Sequence, residues 1–133
     1  MVRRNSLCLA LLFAACGRAP VPPADLFPAT VAGVWHRTAL ETPSVSAAPD
    51  PVPRTAVNWI ETASYEGPGK IETRVYGLAA PAIALDLVQR WRPSADTVFF
   101  HRGSTFVVLK WQQADRQALE LFVRDLESRL GKG

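Results

Sequence analysis

Apolar and polar residues alternate from Trp59 to Glu66 and again from Lys70 to Leu78, on either side of Gly67-Pro68-Gly69. In the second run Ile71, Thr73 and Val75 share one face, and Glu72, Arg74 and Tyr76 share the other. A period of two is that of a β-strand, and a Gly-Pro-Gly cluster between two such runs predicts an antiparallel hairpin with one buried face. After Gly77 the period changes. Ala84, Leu87, Val88 and Trp91 fall at i, i+3, i+4 and i+7, the stripe of a helix that starts at Pro81 and is ended by Arg92-Pro93.

The plan then recurs. Thr97–His101 and Thr105–Trp111 are β-rich around an Arg102-Gly103 turn. Ala114–Leu130 carries Leu119, Phe122, Val123, Leu126 and Leu130 on one stripe, with Asp115 at its start and Gly131 at its stop. Asp86–Arg90, Glu120–Arg124 and Asp125–Arg129 are spaced four apart, as helix surface ion pairs are. Upstream, Val31–Leu40 is broken at Gly33 and then alternates, which predicts one short strand. Glu41–Pro53 is rich in Pro, Ser and Ala without periodicity, and reads as a mobile surface loop. The elements make an α+β domain over residues 26–133. It has an antiparallel sheet of about five strands and two packed helices, in ββα-ββα order after a short N-terminal strand.

The first sixteen residues have a different pattern. Arg3 and Arg4 precede an unbroken apolar run, Leu7–Ala15, which is too short to span a bilayer and has the order of an export signal. Phe13-Ala14-Ala15-Cys16 resembles the lipobox of bacterial lipoproteins. That resemblance implies cleavage before Cys16, a thioether-linked diacylglycerol on its sulfur and usually an acyl chain on its new amine. Two or three chains anchor durably where one anchors marginally. Residues 1–15 are then the signal peptide. Residues 16–25 are a lipidated cysteine and a Pro-rich tether, Gly17–Asp25, which in extended form lifts the domain roughly 28 Å from its lipid. Gly17 stands where Asp would resemble the inner-membrane retention signal of diderm lipoproteins, so the resemblance favours the periplasmic face of the outer membrane over the inner membrane.

This assignment changes what composition means. The chain has 15 Lys and Arg against 12 Asp and Glu. Arg3 and Arg4 leave with the signal, so 13 basic side chains face 12 acidic ones and the domain is near neutral. With no basic cluster, nucleic acid is not an expected partner. Of the two cysteines, Cys8 leaves and Cys16 carries lipid, so no disulfide staples the domain. Stability must come from an apolar core, for which four Trp and six Phe are ample material.

Leu26-Phe27-Pro28 with Gly33 and Trp35, Tyr65-Glu66-Gly67-Pro68-Gly69-Lys70-Ile71, Arg74-Val75-Tyr76, and Phe100-His101-Arg102-Gly103 leading into Phe106-Val107-Val108 together resemble a family of exported bacterial domains without an assigned activity. The resemblance implies an exported α+β domain and supplies no site.

Candidate chemistry is sparse. His36 and His101, the only histidines, lie in separate strands without the ligand spacing of a zinc site. Ser104 has no nucleophile-elbow context, and Gly67-Pro68-Gly69 lacks an N–H that a phosphate cradle would use. Asp125 and Glu127 project about 200° apart on a helix. No catalytic, metal or cofactor residue is expected. Trp91 and Trp111 read as core, whereas Trp59, Glu72, Arg74 and Tyr76 form the candidate interaction surface. The expectation is a non-enzymatic, membrane-anchored envelope lipoprotein that binds an envelope protein or component. The rival is a small-ligand carrier or enzyme with a cleft between sheet and helices.

Overall fold

The computed structural model of the protein describes residues 20–131. The signal peptide, Cys16 and the first part of the tether lie outside the described residues. Six strands, β1 Thr30–Val31, β2 Trp35–Glu41, β3 Val57–Glu66, β4 Lys70–Leu78, β5 Thr97–Arg102 and β6 Thr105–Gln112, are joined by helices α1 Pro81–Arg90 and α2 Arg116–Leu130. The fold is α+β. All six strands form one sheet in the order β1-β2-β3-β4-β6-β5, and every neighbouring pair is antiparallel. The sixth strand arises because the stretch expected to form one strand turns back on itself, pairing Val31 with Trp35 and Thr30 with His36. Between β4 and β5, α1 carries the chain to the sheet edge, and β6 returns to fill the gap. Thus β4 and β5 run parallel with β6 between them.

The two helices lie on opposite faces of the sheet. On one face, Phe122 and Leu126 of α2 bury against Trp35, Tyr65, Ile71, Val75 and Leu109, with Leu26 and Phe27 of the entry segment beside them. On the other, Ala84 and Leu87 of α1 join Ala48 and Val52 of the long loop over Ile60, Tyr76, Leu78, Phe106 and Val108. This corrects the expectation of one buried face with the helices packed together. The physical reason lies in β6, where Phe106-Val107-Val108-Leu109 is apolar at consecutive positions and therefore requires cover on both sides.

The Glu41–Pro53 loop is also corrected. It contains a single 3-10 turn at Val45–Ala47, and a second, Arg54–Ala56, follows it. Ala48 and Val52 are 0% and 2% exposed, so the loop is docked on the sheet. Arg54 Nε donates to the Ala48 carbonyl at 2.7 Å and ties the two turns together. Two small apolar anchors, four residues apart in a polar stretch, leave no periodic signal to read.

The Gly-Pro-Gly turn between β3 and β4 is wedged between two other connections. A Cβ on Gly67 would sit 2.1 Å from the Val34 carbonyl oxygen, and one on Gly69 would sit 2.6 Å from Ala114 Cα. Backbone approach this close is possible only without a side chain. The neighbouring Asp115 caps α2 by accepting from Ala118 N–H at 3.1 Å, as its position before the stripe predicts. Asp86–Arg90 and Asp125–Arg129 pair at 3.0 and 2.7 Å, whereas Glu120 turns to Arg116 at 3.5 Å instead of to Arg124. The β5–β6 turn consists of Gly103-Ser104, one residue later than expected, with Arg102 opposite Thr105.

Candidate functional site

The alternation of β4 holds along its length, but the tertiary structure treats its polar row unequally. Glu72 and Arg74 are exposed, whereas Tyr76 is 1% exposed and stacks on Phe106 with ring centroids 6.2 Å apart. Tyr76 is therefore core, not surface. It lies where α1 and the docked loop close over the sheet, and an amphipathic ring at the end of a polar row gives no local sign of that cover. Trp59 also leaves the candidate surface. It belongs to the α2 face of the sheet, half-buried, opposite the face that carries Glu72 and Arg74. Its indole lies over Gly77, its register partner across β3 and β4, where a Cβ would come within 2.1 Å of the ring. Of the four residues, only Glu72 and Arg74 stand together on an accessible surface.

That surface is a trough. The central strands β3, β4 and β6 are covered at their Tyr76 end and open toward the Gly-Pro-Gly end. Three adjoining concavities of about 250, 310 and 190 Å³ meet there, and Glu72 lines all three. The floor is fixed by strand register. Ser64, Glu72 and Lys110 stand in one row, with Thr62, Arg74 and Val108 in the next. Pro43, Ala47 and Pro49 of the loop flank one side, and Trp91, just after α1, stands on the other. Trp91 itself packs on Phe106 at 5.0 Å, so this wall is braced by core. The ion pairs among the described residues leave Glu72, Arg74 and Lys110 unpaired. Their charged groups are thus free to engage a ligand, on a floor whose backbone is held on both sides by neighbouring strands.

Lys110 is not singled out by the sequence pattern. Its one signal is a polar position in an otherwise apolar β6, and only strand order places it beside Glu72. Among the described residues, no group of three or more His, Cys, Asp or Glu could hold a metal ion. His36 and His101 lie on β2 and β5, four strand spacings and about 19 Å apart, too far to share a site. The trough offers a polar ligand the hydroxyls of Ser64 and Thr62 and the charges of Glu72, Arg74 and Lys110.

A second concavity of about 600 Å³ runs between α2 and the β5–β6 edge of the sheet. Val98, Trp111, Leu119 and Val123 give it an apolar lining, and Arg116 and Glu127 line it as well. The groups with perturbed protonation are elsewhere, around the entry segment. Burial pushes the Tyr65 phenol up to about 12 against the opposing pull of Arg37 and Arg129. Burial likewise raises Glu61, again opposed by Arg37. The hydrogen bond from Arg129 to Asp125 is the main cause of the raised Arg129 pKa. Three donors of this cluster hold the entry segment: Arg37 to the Phe27 carbonyl at 2.5 Å, Tyr65 to that of Pro28 at 2.6 Å and Arg129 to that of Asp25 at 3.0 Å. They clamp the chain where the tether meets the domain.

No family model, curated protein or solved structure matches the chain. Among the described residues, no helix is long and apolar enough to cross a membrane.

Proposed function

We propose that the protein is an exported lipoprotein, anchored through acyl chains on Cys16, whose domain is a non-catalytic module that binds an envelope component in the Glu72–Arg74 trough. The observation that carries this reading is the unpaired Glu72, Arg74 and Lys110 on the open part of three central strands. The rest of this sheet face is covered by α1 and the docked loop, and none of the three charges makes an ion pair among the described residues. The apolar lead of Met1–Cys16 and the clamp on Asp25–Pro28 fit a domain presented on a tether. Delivery to the periplasmic face of the outer membrane follows from Gly17.

Photo-crosslinkers placed at Ser64 and Lys110 in native envelopes, read by mass spectrometry, test the binding site and the anchor together. A partner captured from these positions, with an acylated N-terminal Cys16 peptide, is the expected result. Failure to capture anything from the trough would overturn the binding role, and an unmodified Cys16 in mature protein would overturn the anchor. A second reading, a carrier of a small apolar ligand, rests on the groove between α2 and β5. An environment-sensitive hydrophobic dye displaced by envelope lipids, but not by polar ligands, would favour it.

A further inference from the structure

Building on the trough as a binding site, we propose that its occupant is the C-terminal end of an extended peptide, its free α-carboxylate held by Arg74 and an upstream basic side chain held by Glu72. The trough is blind at one end. Beyond Arg74 the sheet face is filled by Tyr76, Ile60 and Phe106 under Ala48 and Leu87, all of them buried. The concavity between Pro49 and Trp91 runs from Lys110 past Glu72 and Arg74 to Tyr76, where the core closes it. A chain can enter from the open end and stop there, but cannot pass through. Such a site selects a terminus.

The charges then say which terminus. Arg74 stands at the blind end, exposed and without an ion partner, and its planar guanidinium matches a carboxylate through two parallel hydrogen bonds. The next residue of β4 on the same face toward the open end is Glu72, about 7 Å away along the strand. An extended ligand has the same two-residue repeat, so a side chain two residues before its terminus falls over Glu72. Ser64 and Thr62, level with Glu72 and Arg74 on β3, offer hydroxyls to the ligand main chain. Lys110, level with Glu72 on β6, adds positive potential along the path of the carboxylate, and Glu72, between Lys110 and Ser64, supplies the opposite charge that the basic side chain needs beside that lysine. An amine terminus in the blind end would instead meet Arg74 with like charge.

The shared chemistry, a peptide α-carboxylate behind a basic residue, occurs at protein C-termini and in wall peptides that end in a D-residue. Calorimetric titration of the full-length protein with acetyl-Ala-Lys-Ala-Ala tests the proposal. Its companions are the C-terminal carboxamide and the same peptide ending in D-Ala. The acid is expected to bind at least about tenfold more tightly than the amide, the loss that accompanies one charge-assisted hydrogen bond. Preference between the L- and D-terminated acids identifies the source. Arg74→Ala, on an exposed strand position, should remove the acid–amide difference without changing the circular dichroism spectrum, and Arg74→Lys should restore part of it. Glu72→Gln should weaken binding of the lysine peptide while leaving the acid–amide ratio in place. Equal binding of acid and amide, or binding of neither at millimolar concentration, overturns the proposal. If crosslinks from Ser64 and Lys110 still capture a partner in that case, the trough remains a binding site for something other than a chain end.

Discussion

The Tyr65 phenol, wholly buried beneath α2, donates to the carbonyl oxygen of Pro28 at 2.6 Å and so ties the entry segment to a central strand. Tyr65→Phe keeps the ring and its edge contact with Phe122 but leaves that carbonyl without its donor, at a cost of about 1–2 kcal/mol in chemical denaturation. The phenol also sets an alkaline limit. Its folded-state pKa of about 12 lies above the ordinary 10, so the folded state holds the proton longer than the unfolded chain. Stability from this group is complete below pH 10 and is lost as pH rises through 12. In Tyr65→Phe this contribution to the alkaline decline should be absent from pH-dependent melting curves.

Trp59 and Gly77 are a second matched pair. Gly77→Ala places a methyl group where the Trp59 ring now lies, and should destabilise the domain by about 1–3 kcal/mol through overpacking. In the Trp59→Ala background the same substitution should cost far less. A double-mutant cycle by urea unfolding measures this coupling, and additive effects would contradict the close approach of the indole to the glycine.

Glu61 offers a test in acid. Burial raises its pKa in the folded state, so the fold favours the protonated carboxyl and loses stability as pH rises from the unfolded value of 4.5 through the folded one. Glu61→Gln, neutral at every pH, should melt higher than the parent at pH 7. The gap should shrink below pH 4.5, where both side chains are uncharged. Thermal melts at pH 4 and pH 7 decide it.

The long loop separates docked from mobile behaviour. Val52→Ala should cost about 2 kcal/mol, since it removes buried methyl groups and leaves a cavity. Val45→Ala, in the same loop but 37% exposed, should stay within about 0.5 kcal/mol. Equal, negligible effects would mean that the loop does not hold to the sheet.

Residues whose roles depend on local period are legible in the sequence alone. The alternation of Ile71, Thr73 and Val75 and the stripe of Phe122, Val123 and Leu126 identify β4 and α2, because side-chain direction repeats every two residues in a strand and every 3.6 in a helix. Asp115 is legible for the same reason, since a cap acts on its own helix. Tyr76, Trp59 and Lys110 are not. Each sits in a strand that the alternation identifies, but its surroundings come from elements distant in the chain: α1 and the docked loop over Tyr76, the α2 face around Trp59, and β4 beside Lys110. Glu72 and Arg74 stand out because charge on an alternating row suggests exposure. That they remain exposed is decided by where α1 and the loop happen to end.

The sequence by itself determined the α+β class, the order of strands and helices after the first turn, and the Asp115 cap and Gly-Pro-Gly turn among the signals that divide them. All of these follow from backbone preferences over a few residues. Only the tertiary structure decided that β6 inserts between β4 and β5, that the helices take opposite faces, and that one polar end of the sheet stays open around Glu72 and Arg74. Those outcomes depend on which apolar surfaces meet across long separations in the chain, and local periodicity carries no record of the partner.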